Sequence, residues 1–560
     1  MRRAWTGFGF FSGVVWWLVG CGNQLPEGKL VVTQLPVIAR ESNATSEPSF
    51  GSARVSAHAE RTDGAGVRRA EAARSDQRIS ISRALPATAV WDQPHPRPRH
   101  PAGDLLDERY PVGSRVVLVS PPYRPKDVRV LSTGFVAAGE PVVAHDGRRI
   151  FFTGKTRVNG FWQICEARLD GGPHRVVTSM PGGAMNPALL PNGEVVFASP
   201  VPAAGQTWTS DKPAALYAQG ADGAPRRLTF GLLAAVEPTV LRDGRILFVS
   251  ARPSVGAGGA PDLGLFTVNS DGSEFTAFAL DHDGAPLVRR PRELADGRVV
   301  YLAWSAGTAG AVTWAETVQE SRPFGTRSPL FSSCSNAACD RGQAVVSEPV
   351  PCTSVDPDRD AGVLACLELA GTQPRSGPGA WAVYRLKPNA VAVGRVQFAD
   401  PAWDNVEAAS VAPRPKPLGH LTTLNLATRS GILLCLDANR TVLRATNVPQ
   451  APAVRVRILA ASAAGPERAL GEVPVQADGS FMARVPADVA LGFATLDAQG
   501  GVLHHLPPSI WVRPGENRTC IGCHEPRAHT PRNHRPLAVN MPLVSLAFEP
   551  TAVPSTHKTP

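Results

Sequence analysis

Apolar residues along this chain fall in short runs that alternate with polar positions, and Asp-Gly or Asn-Gly pairs cut the runs apart. Four segments share one arrangement: GEPVVAHDGRRIFFTG, MNPALLPNGEVVFASP, VEPTVLRDGRILFVSA and RRPRELADGRVVYLAW. In each, a proline stands six residues before a glycine, as Pro141/Gly147, Pro187/Gly193, Pro238/Gly244 and Pro291/Gly297. The glycines are 46, 51 and 53 residues apart. A glycine after Asp or Asn is a hairpin signal, because it accepts the positive φ that such turns need. The residues that follow alternate as a strand does, with Ile246 and Phe248 set against Leu247 and Val249.

A second turn sits inside the first three units, at Asp170-Gly171, Asp222-Gly223 and Asp271-Gly272. Strands such as FWQICEARL, AALYAQG and LGLFTVN precede it, and HRVVTS, PRRLTF and EFTAFA follow. Two hairpins make the four strands of a propeller blade. The phrases DGRILF and LFTVNSDGS resemble the WD40-like repeats of TolB-type β-propellers. The fold expected is therefore all-β, with a propeller of six or seven blades over residues 103–411. The fourth unit lacks a clean second turn, so 104–137 and 340–410 must supply the remaining strands and the closure. A plain β-sandwich with coincidental turns is the alternative.

An insert at 331–367 carries Cys334, Cys339, Cys352 and Cys366, a set suited to two disulfides in an oxidising compartment, with three pairings open. Asp356, Asp358 and Asp360 alternate before Gly362, but the glycine is one place late for a calcium loop and no acid closes it. A solvated turn is the expectation there. Beyond the hinge APRPKPLG, residues 412–512 read as a β-sandwich-like domain, with Val454, Val456 and Ile458 inward and Arg455 and Arg457 outward.

The first 21 residues have a basic start at Arg2 and Arg3, an apolar stretch, and an end at Leu18-Val19-Gly20-Cys21. That end resembles the lipobox of bacterial lipoproteins, which implies a lipid on Cys21, export, and a cell-envelope location facing periplasm or cell surface. Gly22 in place of Asp favours the outer membrane by the same resemblance. Residues 22–102 are polar and poor in aromatics, and are expected to be a disordered tether.

With 53 Pro and 52 Gly in 560 residues, coiled coils, helical bundles and multi-span membrane proteins are excluded. The net charge of +9 is spread without a basic stripe, so nucleic acid is not an expected partner.

One motif carries chemistry. Cys520-Ile521-Gly522-Cys523-His524 is a C-x-x-C-H haem attachment sequence in a segment spanning 513–560. Two thiols add across the porphyrin vinyl groups, and the adjacent histidine is placed as an axial ligand to iron. A disulfide turn or a zinc half-site is the alternative, although zinc would call on His529 and His534 as well. Only 36 residues follow His524, too few for a complete cytochrome fold. Distal ligand candidates are His504, His505, His529, His534 and Met541, with His282 in a propeller loop further off. Arg518, Arg527 and Arg532 are candidate propionate partners.

The stretches VAPRPKP, GHLTTLNL, VRVRIL, GEVPVQADGSFMARVPADVALGFATLDAQG and WVRPGENRTCIGCHEPR resemble proteins related to the alpha subunit of hydrazine synthase. The resemblance covers roughly 410–530 and implies a propeller, a β-rich region and a bis-His c-type haem. By position, it assigns Cys520 and Cys523 to covalent attachment of one haem c and His524 to the iron. The family also carries a second, catalytic haem, and no other C-x-x-C-H occurs here. Three functions stay open: electron transfer to a redox partner protein, a haem enzyme acting on peroxide or a small nitrogen compound, and a TolB-like binding module with a structural haem.

Overall fold

A computed structural model describes residues 28–36, 109–200, 214–221, 223–231, 234–252, 262–279, 287–307, 310–321, 326–331, 350–358, 361–368, 381–388, 396–441, 451–461, 467–522 and 533–546. Strands dominate, and eight four-stranded sheets are present among the described residues.

Six of these sheets form a propeller. Blade 1 combines β1 (Leu30–Pro36), β2 (Arg115–Val119) and β3 (Val128–Val130) with a strand from much later in the chain. Blade 2 is β4 (Ala137–Val143), β5 (Arg149–Lys155), β6 (Gln163–Arg168) and β7 (Arg175–Val176). Blade 3 is β8 (Met185–Leu189), β9 (Val195–Pro200), β10 (Ala214–Gln219) and β11 (Arg226–Arg227). Blade 4 is β12 (Ala235–Val240), β13 (Ile246–Arg252), β14 (Asp262–Val268) and β15 (Thr276–Ala279). Blade 5 is β16 (Leu287–Glu293), β17 (Val299–Gly307), β18 (Gly310–Val318) and β19 (Ser328–Pro329). Blade 6 is β20 (Cys352–Pro357), β21 (Val363–Glu368), β22 (Trp381–Leu386) and β23 (Val396–Phe398). The late strand of blade 1 is β24 (Trp403–Ser410), which packs on β20, β21 and β22 on one side and on β4 on the other. The ring is thereby closed.

The closure corrects the expected tether. Leu30, Val31 and Val32 of β1 are wholly buried, and the strand pairs antiparallel with both β2 and β24. LVVTQLP is apolar enough for a strand interior, but its partners lie far along the chain. Residues 22–27 and 37–102 are outside the described residues, as is the signal segment with Cys21.

The predicted insert also shrinks. Residues 352–368 are the inner strands of blade 6, and Cys352 and Cys366 are free, buried thiols, not disulfide partners. Their side chains belong to different apolar clusters, Cys352 with Leu330 and Val355, Cys366 with Val32 and Phe398. Cys334 and Cys339 lie outside the described residues. The Asp-rich stretch is the β20–β21 turn, closed by Asp358 N–H donating to Gly362 O at 2.9 Å, with Arg385 on the Asp358 carboxylate at 2.5 Å.

From Val411 a strap runs across the blade turns. Arg414 N–H donates to His145 O and Leu418 N–H to Arg242 O, both at 2.9 Å. Gly244 has φ +93°, and a Cβ there would sit 2.3 Å from Leu418 O, so the strap is laid directly on a glycine turn.

The last two sheets form a sandwich. One contains β25 (Ser430–Asp437), β28 (Phe481–Pro486), β31 (Asn517–Gly522) and β32 (Val544–Ser545). The other contains β26 (Arg455–Ala460), β27 (Arg468–Pro474), β29 (Leu491–Leu496) and β30 (Val502–Ile510). Leu433, Val456, Ile458, Phe481, Val485 and Leu491 fill the space between them. The sandwich therefore extends past residue 512, because β31 adds to it in parallel beside β25. The expected separate C-terminal segment supplies two of its strands.

Candidate functional site

Two places gather functional side chains. The first is β31 and its surroundings. Its register puts Cys520 opposite Cys435 and Gly522 opposite Asp437. Cys520 is partly buried, whereas Cys165, Cys352, Cys366 and Cys435 are buried. Burial pushes the thiols of Cys165 and Cys352 up to about 12, so they stay protonated and inert. Of the described cysteines, Cys520 alone has the access that thioether formation needs. Cys523, His524 and His529 lie outside the described residues, as do Arg527, Arg532 and His282.

The base of β31 is fixed to the propeller. Glu274 N–H of blade 4 donates to Glu516 Oε1 at 3.0 Å, and Arg518 Nη2 donates to Phe275 O. Glu516 also accepts the Arg513 N–H at 2.6 Å, and Arg513 Nε donates to Asp271 O at 3.1 Å. Trp511 adds an aromatic anchor: its Nε1 donates to Gly272 O at 3.1 Å. Phe275 in turn stacks on Phe266, centroids 5.3 Å apart.

The remaining described histidine candidates stand apart, two on one strand of the sandwich and His534 outside its strands. His504 and His505 stand on β30, opposite Thr495 and Ala494. His505 Nε2 is 2.8 Å from Glu467, and His534 Nε2 is 3.1 Å from Asp478. Asp478 also accepts Ser480 Oγ at 2.6 Å and Leu537 N–H at 2.8 Å. These bonds outweigh its partial burial and hold the carboxyl at about 2. Met541 is half exposed. Among the described residues, no group of three His, Cys, Asp or Glu gathers as a metal site.

The second place is the propeller axis, which sequence reasoning missed. Each inner strand bulges at the same level, and in blades 2 to 5 the bulged residue is the one before the repeated proline. Glu140, Asn186, Glu237 and Arg290 there have φ of 58°, 55°, 52° and 50°. Positive φ in non-glycine residues is uncommon and is kept only where surroundings enforce it. Here the enforcement is a relay from blade to blade. Glu140 N–H donates to Glu407 at 2.8 Å, Asn186 N–H to Glu140 at 2.7 Å, Glu237 N–H to Asn186 at 3.2 Å, and Arg290 N–H to Glu237 at 2.6 Å.

Buried ion pairs complete the axis. Arg109 binds Glu140 at 2.9 Å and Glu237 at 3.0 Å, Arg289 binds Glu237 at 3.2 Å, and Arg290 pairs with Glu407. Tyr110 OH donates to Glu407, and its ring lies on Gly139, where a Cβ would meet it at 2.4 Å. Burial alone would raise the Glu237 carboxyl, but Arg289, Arg109 and Arg290 outweigh it and bring it to about 2. Glu407 is likewise brought to about 2 against its burial, by Arg290 and Arg109 with Thr33 and Tyr110. The signal available in sequence was the polar residue before each repeated proline.

Comparisons with known proteins agree with this architecture. Residues 436–525 match the family model described as the hydrazine synthase alpha subunit middle domain. A curated relative, hydrazine synthase subunit alpha of Kuenenia stuttgartiensis, is 32% identical over 85 residues, which span 15% of this chain and 10% of the relative. The solved hydrazine synthase of Kuenenia stuttgartiensis superposes with TM-score 0.65 and 18% identity, covering 92% of this chain and 72% of that one. TolB from Acinetobacter baumannii is similar at TM-score 0.36 and 12% identity, covering 53% of this chain and 62% of that one. The C-x-x-C-H sequence and β31 fall within the matched domain. Residues 436–525 are thus similar to the hydrazine synthase alpha subunit middle domain, and that region is carried here beside an all-β propeller.

Proposed function

We propose that this protein is an exported, membrane-tethered monohaem c-type protein that passes electrons in haem-linked nitrogen metabolism. The observation that carries the reading is the position of Cys520, a partly buried cysteine opening a C-x-x-C-H sequence inside the matched domain. Cys520 and Cys523 would hold one haem c covalently, and His524 would ligate its iron. When bound, such a group exchanges one electron with little ligand rearrangement if both axial positions are filled. The chain contributes a rigid base. Glu516 and Arg518 tie β31 to blade 4, so the attachment cysteine leaves from a strand that is pinned on both sides. The lipid on Cys21 and the redox partner protein belong to the same proposal.

A second reading has its own support. His505 and His534 direct Nε2 to Glu467 and Asp478, which leaves neither poised as a sixth ligand. A haem without a strong distal ligand binds small molecules, and the protein would then be a haem-dependent oxidoreductase. Expression of the full chain with haem-attachment machinery, followed by pyridine-haemochrome and ligand-binding spectra, separates the readings. A low-spin iron indifferent to CO and cyanide supports electron transfer; a high-spin iron that binds them supports the enzyme. No covalent haem in the wild-type chain removes both and leaves a TolB-like binding module.

A further inference from the structure

The strap between the propeller and the sandwich carries three bare leucines. Leu418, Leu421 and Leu426 are 67%, 89% and 73% exposed, the most exposed large apolar side chains among the described residues, and they fall within nine residues of chain. The backbone that carries them is fastened at each step. Leu418 N–H donates to Arg242 O at 2.9 Å, the Thr422 hydroxyl donates to Asp271, and Asn425 N–H donates to Pro514 O at 3.0 Å. Single apolar side chains on a surface are ordinary, but three held outward on one fixed segment mark a surface made to be covered.

The same segment is cationic. No acidic residue occurs between Glu407 and Asp437, whereas Arg414, Lys416 and Arg429 do. Lys416 and Arg429 are exposed and enter no ion pair among the described residues. The acids of the blade turns at this end are already neutralised, Asp146 by Arg149 at 3.1 Å, Asp243 by Arg245 at 2.6 Å and Asp296 by Arg298 at 2.8 Å. Apolar side chains flanked by free cations fit an anionic headgroup layer, in which the leucines enter the acyl boundary and the cations stay at the phosphates. Position argues the same way. The strap starts at Val411, whose N–H donates to Lys29 O, and β1 begins nine residues after Cys21. A lipid on Cys21 would hold this end of the blades, and not the opposite end, towards the bilayer.

We propose that the strap face, through Leu418, Leu421 and Leu426 with Lys416 and Arg429, rests on an anionic lipid surface. The inference rests on the lipid-tethered part of the function proposed above and adds an orienting contact to it.

A chain starting at Gly22 keeps every described element and lacks Cys21, so its flotation with vesicles reads the strap alone. Binding is expected to vesicles of phosphatidylethanolamine with phosphatidylglycerol, and much less to phosphatidylcholine alone. Leu421→Ser combined with Leu426→Ser should reduce binding about tenfold or more, from the apolar area withdrawn. Lys416→Gln should reduce it about fivefold on anionic vesicles only, from the loss of one cation near the surface. These side chains are exposed, so the variants should keep the wild-type melting temperature. No binding by the wild-type chain, or unchanged binding by the leucine variant, overturns the proposal. So does self-association that the leucine variant abolishes, which would assign the face to a second copy. Lipidation is read separately, from the mass of the N-terminal peptide of the full chain, so failure of the tether and failure of the strap are distinguishable.

Discussion

Trp511 of the sandwich lies flat on Phe275 of blade 4, with ring centroids 4.4 Å apart and planes inclined at 24°. The indole is 2% exposed and is also hydrogen-bonded to the blade, so the two units are joined by one well-packed aromatic contact and the ties around it. Trp511→Ala should cost about 3–5 kcal/mol, the usual range for removing a buried tryptophan. Because the residue sits at a junction, calorimetry should then show the single unfolding transition split in two. A single transition at the wild-type temperature would show that the junction contributes nothing.

The axial carboxylates predict an acid limit to stability. Glu237 and Glu407 are held at about 2, below the ordinary carboxylate range. Groups lowered on folding contribute their full stability above the unfolded value, and that contribution fades as pH falls towards the folded value. The melting temperature should therefore decline between about pH 5 and pH 2. Glu407→Gln should flatten part of that decline and, by leaving Arg290 without its charge partner, cost about 3–5 kcal/mol at neutral pH.

A chain beginning at Arg109 would lack β1 and expose the ladder edges of β2 and β24 to each other and to solvent. Since Leu30, Val31 and Val32 are completely buried, the shortened protein should be insoluble or melt far below the full chain. Adding a synthetic peptide of residues 28–36 should restore part of the loss. A soluble shortened protein with an unchanged melting curve would show that the blade closes without this strand.

Gly244→Ala should lift the strap from the turn of blade 4. Positive φ and the 2.3 Å approach to Leu418 O both oppose a Cβ, and the combined cost should be about 1–3 kcal/mol. The informative readout is hydrogen exchange at the Leu418 amide, which donates to Arg242 O and should exchange faster in the variant.

Much of the propeller was legible because its turns are local. Asp243-Gly244 and Asp296-Gly297 announce hairpins within a few residues of the strands they join, and Gly244 and Gly297 do have positive φ. Blade 6 was harder to read, since its turn runs through Asp358 and Gly362 and places Ala361, not a glycine, at φ 57°. The strand Leu30–Pro36 was missed because nothing nearby pairs with it: Thr33 bonds Glu407, 374 residues away. Cys352 and Cys366 were misassigned since spacing alone does not show that they face different packing layers. Around β31 the haem sequence was plain, but its attachment to blade 4 through Glu274 and Phe275 was not, because both accept or donate through the backbone.

The pairing of Leu30 with Ser410, followed by Val411 N–H on Lys29 O at 2.9 Å, brings the chain into the ring and out of it at the same point. Eight residues, 22–29, separate Cys21 from β1. At about 3.5 Å each, they reach no further than roughly 30 Å when fully drawn out. If Cys21 carries the lipid proposed above, the propeller hangs on a short leash, close to the bilayer surface. The strap then carries the chain over the turns of blades 2 and 4, and the sandwich docks on blade 4, so such a leash would set the height of blade 1 and not that of Cys520.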